Sequence, residues 1–268
     1  MILTTILLAA VCACGEAPER ARDFYWENDR FGMRAYGPED PHVWSGFDVF
    51  NKMPDAEASC GEVLHNHKSC GNWHVKPWKG VLDNYTMGAS RGVGAVAMYA
   101  DGEWKTFPDW ESCEVIHEGD DYCEFKLVYP AFSAAGKLTY HITLRRGERF
   151  FKVEASFEKK LRPDMLVGPG LDLEPKRDHH GDVRESAEGG YISIFEDPKN
   201  EAEGSTMAAV FTREPVAKIA VDNQNSHILC INRQRFTYYA GAAWSKAGEI
   251  TAAEDWHALI PVASGNGK

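Results

Sequence analysis

The 268-residue chain is 44% hydrophobic and 12% aromatic, which supports a sizeable core and excludes a disordered chain. Its formal net charge of −11 excludes non-specific nucleic-acid binding, which relies on clustered Lys and Arg. The same charge means that a polyanionic ligand needs a local basic patch working against the overall field.

The chain opens on MILTTILLAAVCACGEAPER. Its apolar run from Ile2 to Ala13 is too short to span a bilayer and fits the core of an export signal, although no Lys or Arg precedes it. VCACG has the look of a degenerate lipoprotein signal in which Cys14 would carry the lipid. The expectation is a leader over residues 1–19 and a single domain over 20–268. It includes export to the periplasm or outer membrane, with membrane attachment only through a lipid on Cys14.

Residues 23–38, DFYWENDRFGMRAYGP, mix five aromatic side chains with acids, arginines and an asparagine. Read as one strand, the segment puts Trp26, Asn28 and Arg30 on one face, and Arg34 and Tyr36 join them if the strand runs on unbroken. Aromatic faces stack on a sugar ring while Asn, Asp and Arg bond its hydroxyls, so Trp26, Asn28, Arg34 and Tyr36 form a predicted substrate-binding set. A strand whose charges pair internally is the competing reading.

Residues 51–80 read as one long irregular segment, and an irregular stretch of that length is usually functional. It holds His65, His67 and His74, with Asp83 and Tyr85 soon after. An H-x-H pair with a carboxylate suits a divalent metal, but the spacing is specific for none, and the cofactor stays open. His74 and Tyr85 are candidates for proton transfer, with Asp83 as a carboxylate partner. ASRGVGAVAM is not a phosphate cradle, because no strand precedes its glycines and no helix follows. Its Arg91 suits a uronate carboxylate bidentately, or a structural ion pair.

From residue 91 onward the pattern is β. VGAVAMYADGEW carries a hairpin turn at Asp101-Gly102. CEVIHEGDDYCEFKLVYP repeats the pattern, and a disulfide between Cys113 and Cys123 could cross that hairpin. The clearest alternation is Leu138, Tyr140, Ile142 and Leu144, continued after a turn by Phe151, Val153, Ala155 and Phe157. Short strands follow at YISIFE, TMAAVF, KIAVDN and HILCINR. KRDHHGD, with His179 and His180, reads as an exposed loop. In YYAGAAWSK, Tyr239, Trp244 and Lys246 make an aromatic-plus-cation set suited to stacking and anion contact. TAAEDWHALI starts a helix, with Thr251 and Glu254 in capping-box spacing. These elements together give an all-β, antiparallel sandwich or barrel of one domain with one short C-terminal helix.

Four blocks in order, DFYWENDRFGMRAYGP, SGFDVFNK, LDNYTMGASRGVGAVAMYADG and YYAGAAWSKAGEITAAEDW, resemble the domain-of-unknown-function family 4861 over residues 20–260. That resemblance implies an antiparallel β-sandwich of the galactose-mutarotase-like supersandwich kind and a role in bacterial polysaccharide degradation, often of uronic-acid-containing glycans. Members carry a β-rich segment ahead of the WENDR block, so the resemblance also implies an N-terminally shortened member.

The leading expectation is a secreted protein that binds an oligo- or polysaccharide and cleaves it by β-elimination at a uronate. Arg34 or Arg91 would neutralise the carboxylate, and His74 with Tyr85 would move the protons. A glycoside hydrolase or mutarotase would use His74 with Asp83 instead, and Asp29, Asp48, Asp172 and Glu174 are further carboxylates available to it. A non-catalytic sugar-binding module would use Trp26, Trp244 and the tyrosines.

Overall fold

The computed structural model describes residues 11–42, 44–131, 133–173, 180–198 and 203–264, of which 261–264 by backbone alone. Glu174 and His179 lie outside the described residues. The first five strands are β1 (Ala13–Ala17), β2 (Asp23–Glu27), β3 (Phe31–Ala35), β4 (Phe47–Lys52) and β5 (Val81–Leu82), with helix α1 (Cys60–His65) between the last two. Next come β6 (Val93–Ala100), β7 (Glu103–Lys105), β8 (Ser112–His117), β9 (Tyr122–Tyr129), β10 (Leu138–Arg145) and β11 (Phe150–Phe157). The chain continues through β12 (Leu166–Asp172), β13 (Gly181–Ser186), β14 (Tyr191–Glu196), β15 (Thr206–Phe211), β16 (Lys218–Val221), β17 (Ser226–Cys230) and β18 (Arg235–Trp244). It closes on helix α2 (Ala253–Ser264).

The strands form an all-β antiparallel sandwich. One layer is an eight-stranded sheet in the order β13-β14-β15-β18-β11-β10-β9-β8. The other holds two five-stranded sheets, β16-β17-β12-β6-β7 and β1 to β5 in sequence order. A parallel bridge between Phe47 and Gly92 joins these two. Gly92 has φ +54°, and a Cβ there would meet the Phe47 carbonyl oxygen at 2.0 Å, so the junction excludes any side chain. One hydrophobic core fills the space between the layers, built from Phe47, Val93, Leu127, Tyr140, Val153 and Tyr238 among others.

The alternation over β10 and β11 gives the paired strands anticipated from sequence, with Ile142 opposite Val153 and both fully buried. Strand β15 is buried on both faces because α2 covers its outer face, with Trp256 and Ile260 packed on Met207, Ala209 and Phe211. Full burial of each such side chain contributes about 1.5–3 kcal/mol.

Several local expectations are corrected. Residues 23–38 are not one strand: Asn28 turns β2 back into β3, accepting from the Arg30 and Phe31 amides at 2.8 and 3.2 Å. Ala13–Ala17 pair with Asp23–Glu27 as β1, and Cys14 is 3% exposed there. The irregular stretch over 51–80 contains α1, closed by a capping box between Ser59 and Glu62. Thr251 does not start α2 with a matching box, because the Glu254 carboxylate is engaged by Arg184 at 2.6 and 3.1 Å. Cys113 registers with Leu127 rather than Cys123, so no disulfide crosses that hairpin, and all seven thiols are free.

Candidate functional site

The β3–β4 register sets Arg34 opposite Asp48, and Asp83 follows directly on β5. The guanidinium sits at the sheet face covered by the 53–80 segment, with its carbon 4.3 Å from the Tyr36 ring, 5.4 Å from Phe50 and 5.7 Å from Trp73. A buried guanidinium in that setting needs anionic partners. Nη2 donates to Asp48 Oδ2 at 2.6 Å and Asp83 Oδ2 at 3.0 Å, while Nη1 reaches Asp23 Oδ2 at 3.5 Å. Tyr36 donates its hydroxyl to the same Asp48 oxygen at 2.7 Å. At the outer end of this chain, His74 Nδ1 lies 3.2 Å from Asp83 Oδ2.

Arg34, Tyr36, Asp48, His74 and Asp83 line a pocket of about 480 Å³ together with Trp44, Asn84, Tyr85, Thr86 and Glu203. His74 is its half-exposed polar group, whereas the side chains of Arg34, Asp48 and Asp83 are 2% exposed. The hydrogen bond to Asp83 raises the pKa of His74 above the usual imidazole value, against the opposing pull of burial. Burial, reinforced by Asp83, pushes the Asp48 carboxyl up to about 6 even though Arg34 pulls it down. Burial also raises the Tyr36 phenol well above its ordinary value. Burial alone would lower the Arg34 pKa, but Tyr36 and the three carboxylates outweigh it. Three carboxylates around one guanidinium leave the cluster with excess negative charge.

The structure gathers His74, Asp83, Tyr85, Arg34 and Tyr36 from the sequence-predicted set into this pocket. It does not bring the others there. Arg91 is buried outside this pocket and donates to Asp222, Ser45 and the Lys105 carbonyl at 3.1, 2.8 and 3.1 Å, the structural ion pair that was its alternative reading. Trp26 is fully buried in the main core against Phe47, Phe125 and Phe151. Asn28 is fully buried, and its amide donates to the Arg145 and Glu148 carbonyls. Tyr239 stacks on Phe211, on the face of the large sheet that α2 covers. Trp244 is 4% exposed and donates to the Glu203 carbonyl at 2.6 Å, so it supports the pocket rim from behind. Lys246 is exposed beside it.

The H-x-H pair diverges: His65 Nδ1 meets Glu19 at 2.7 Å and His67 Nδ1 the Leu64 carbonyl at 3.1 Å. Among the described residues no group of three or more His, Cys, Asp or Glu is placed to hold a metal ion. Asp48 was visible in sequence only as one carboxylate among several, and Trp44 and Glu203 carried no signal. Their roles come from strand register and from loops that meet only in three dimensions.

A family profile described as a domain of unknown function (DUF4861) matches residues 6–264. The chain is also similar to a protein of Formosa agariphila named "Uncharacterized protein P7", at 26% identity over 268 residues and 93% of this chain. It spans 66% of that relative's length.

Proposed function

The chain belongs to the family described as a domain of unknown function (DUF4861), and we propose that it is a carbohydrate-active enzyme in which His74 transfers a proton to or from a sugar ring. The observation that carries this reading is the unbroken chain His74–Asp83–Arg34–Asp48–Tyr36 along one wall of a 480 Å³ pocket. That volume lies in the range of small-molecule sites, roughly 300–1,000 Å³. Trp44 and Tyr85 add aromatic surface for an apolar ring face, and Asn84, Thr86 and Glu203 add polar groups for hydroxyls.

The chemistry favoured is acid–base work at an acetal or hemiacetal, as in a mutarotase or glycosidase. With Nδ1 given to Asp83, Nε2 is the nitrogen that exchanges a proton with a ligand. A raised pKa keeps more of the imidazole protonated near neutral pH, which suits an acid acting on a ring or glycosidic oxygen. Further along the same wall, Asp48 is more basic than an ordinary carboxylate, and the Tyr36 hydroxyl on it offers a relay.

β-Elimination from a uronate, with His74 and Tyr85 as the proton-transfer pair, is the second reading. It is supported by the presence of both side chains in one pocket. It ranks second because Arg34, its expected neutraliser, is occupied by three carboxylates of the protein itself.

The test incubates the protein with free sugars and with neutral and uronate oligosaccharides. Anomer exchange is followed by NMR, ultraviolet absorbance is recorded, and product masses are measured. Faster anomer exchange, or cleavage with addition of water, lost in His74→Ala, is the expected result. A new ultraviolet band with cleavage at unchanged total mass establishes the second reading. Silence in all three channels from a folded protein refutes the enzyme reading.

A further inference from the structure

A second cavity, of about 290 Å³, lies away from the His74 pocket and is lined by Glu148, Arg149, Phe150, Phe211, Arg213 and Tyr239. Its position follows from register: β11 pairs Phe150 with Gly241 of β18, and β15 pairs Phe211 with Tyr239. Along β18, Tyr239 is five residues from Trp244, whose indole supports the rim of the first pocket, a separation on the order of 17 Å.

The walls are aromatic. The Phe211 and Tyr239 rings stack 5.0 Å apart at 11°, and Phe150 meets Phe211 edge-on at 5.0 Å. Arg149 has a side chain only 10% exposed, and its Nη2 is held by Glu249, which also takes Arg30. Its Nη1 is buried and has no hydrogen-bond partner among the described residues. A buried guanidinium nitrogen without an acceptor carries a full desolvation cost and calls for a partner that the described residues do not supply. Burial and the neighbouring Arg30 lower the Arg149 pKa to about 10, so an added anion would be welcome there. Arg213 contributes a second cation at the edge, and Glu148, exposed on the rim, is the one carboxylate among the described residues that line it. This is the cation–aromatic combination that Arg34 and Arg91 cannot supply, because the protein's own acids and carbonyls occupy both.

We infer that the Arg149–Tyr239 cavity is a second ligand site, which takes a small cyclic carboxylate with its ring against Tyr239, itself backed by the buried Phe211, and its carboxylate at Arg149 and Arg213. Planar guanidinium pairs carboxylate with directional, charge-assisted bonds, and aromatic faces take either a sugar's apolar side or an aromatic ring. A sugar acid and an aromatic acid share this chemistry.

Isothermal titration of the full chain with galacturonate, benzoate and galactose tests the site and separates the two sources. Binding of at least one carboxylate, with galactose at least about tenfold weaker, is expected. Galacturonate as the tighter ligand identifies a sugar acid, and benzoate an aromatic acid. Arg149→Gln and, separately, Arg213→Gln are each expected to weaken the carboxylate, Arg149→Gln by about tenfold or more. His74→Ala is expected to leave it unchanged. Arg213 is exposed, so its variant keeps the test open if Arg149→Gln fails to fold. Absence of carboxylate binding, galactose binding that the arginine variants weaken as much as the carboxylate's, loss of carboxylate binding in His74→Ala, or affinity unchanged in a folded arginine variant each overturns the site.

Discussion

His74 Nδ1 is 3.2 Å from the Asp83 carboxylate and 3.1 Å from the main-chain carbonyl oxygen of the same residue. Both neighbours are acceptors, so Nδ1 carries a proton and the tautomer is fixed by one partner. Asp83→Asn removes the charge and keeps the shape. The expected outcome is a lower His74 pKa by NMR titration, with activity falling further at neutral pH than at acid pH. His74→Ala is expected to cost about 10²–10⁴-fold in rate, the usual range for loss of a general acid or base. A His74 pKa unmoved by Asp83→Asn would show that the pair is incidental.

Arg34 is predicted to be indispensable to the fold. Its side chain is 2% exposed, and removing it leaves Asp23 and Asp48 without their cation and Asp83 with only the half-exposed His74. Breaking a buried ion pair by deleting one partner costs about 3–5 kcal/mol, and here three acids lose the same partner. Arg34→Met is therefore expected to lower the denaturant midpoint by at least that equivalent. Arg34→Lys is expected to recover only part, because a compact ammonium cannot span three carboxylates as a planar fork does. A midpoint within about 1 kcal/mol of wild type in Arg34→Met would refute the account.

Two histidines should give opposite pH dependences. His257 on α2 pairs with Ser193 at 2.9 Å, and burial, then Arg184, lowers its pKa below the usual 6.5. The unfolded chain therefore takes up this proton first as pH falls. The contribution of His257 to stability is complete above about pH 6.5 and is lost as pH falls below it. His74 has the opposite sign: its pKa is raised, so its contribution is complete below about 6.5 and is lost as pH rises through the folded value. The raised Asp48 adds a third slope, with stability falling as pH rises from about 3.8 to about 6. Unfolding free energies measured between pH 4 and 8 are expected to lose the His257 component in His257→Gln and the His74 component in His74→Gln. Identical profiles for these variants and wild type would contradict both assignments.

The sandwich was legible where one face alone decides the pattern. Leu138 to Leu144 and Phe151 to Phe157 alternate because one side of each strand is core and the other is wet. β12 was not legible, because Gly168, Pro169 and Gly170 read as loop, and the strand tolerates them only through a register shift between Pro169 and Leu171. α1 had a capping box at Ser59 and Glu62, the same signal that was read at Thr251, but cysteines and histidines around it hid the apolar spacing of Val63 and Leu64. At the site, residue type singled out His74, Asp83 and Tyr85, and all three line one pocket. It failed for Trp26 and Asn28, because a turn at residue 28 cannot be told from a continuing strand without the partner strands. It failed for Arg34 as an available cation, because its acids come from positions 23, 48 and 83, and only register brings them together.

The thiols provide a check on the fold itself. Cys113 is half-buried, whereas Cys12, Cys14, Cys60, Cys70, Cys123 and Cys230 are buried. Burial raises the pKa of Cys12 to about 12 and that of Cys230 to about 11, and it takes Cys60 well above its ordinary value. Cys123 is raised first by a hydrogen bond with the Cys14 thiol and then by burial. Alkylation requires the thiolate and access to it, so these positions lack both. Cys113 is also raised by burial, and therefore reacts slowly, but it is the accessible thiol. Native protein treated with iodoacetamide at pH 8 is expected to gain one label, located at Cys113 by peptide mass spectrometry. The same treatment in denaturant is expected to label all seven. Cys14 is the informative position, because it lies in β1, packed in the core beside Cys123. Labelling of Cys14 in the native protein as fast as Cys113 would show that the Ala13–Ala17 strand does not stay paired with Asp23–Glu27 in solution.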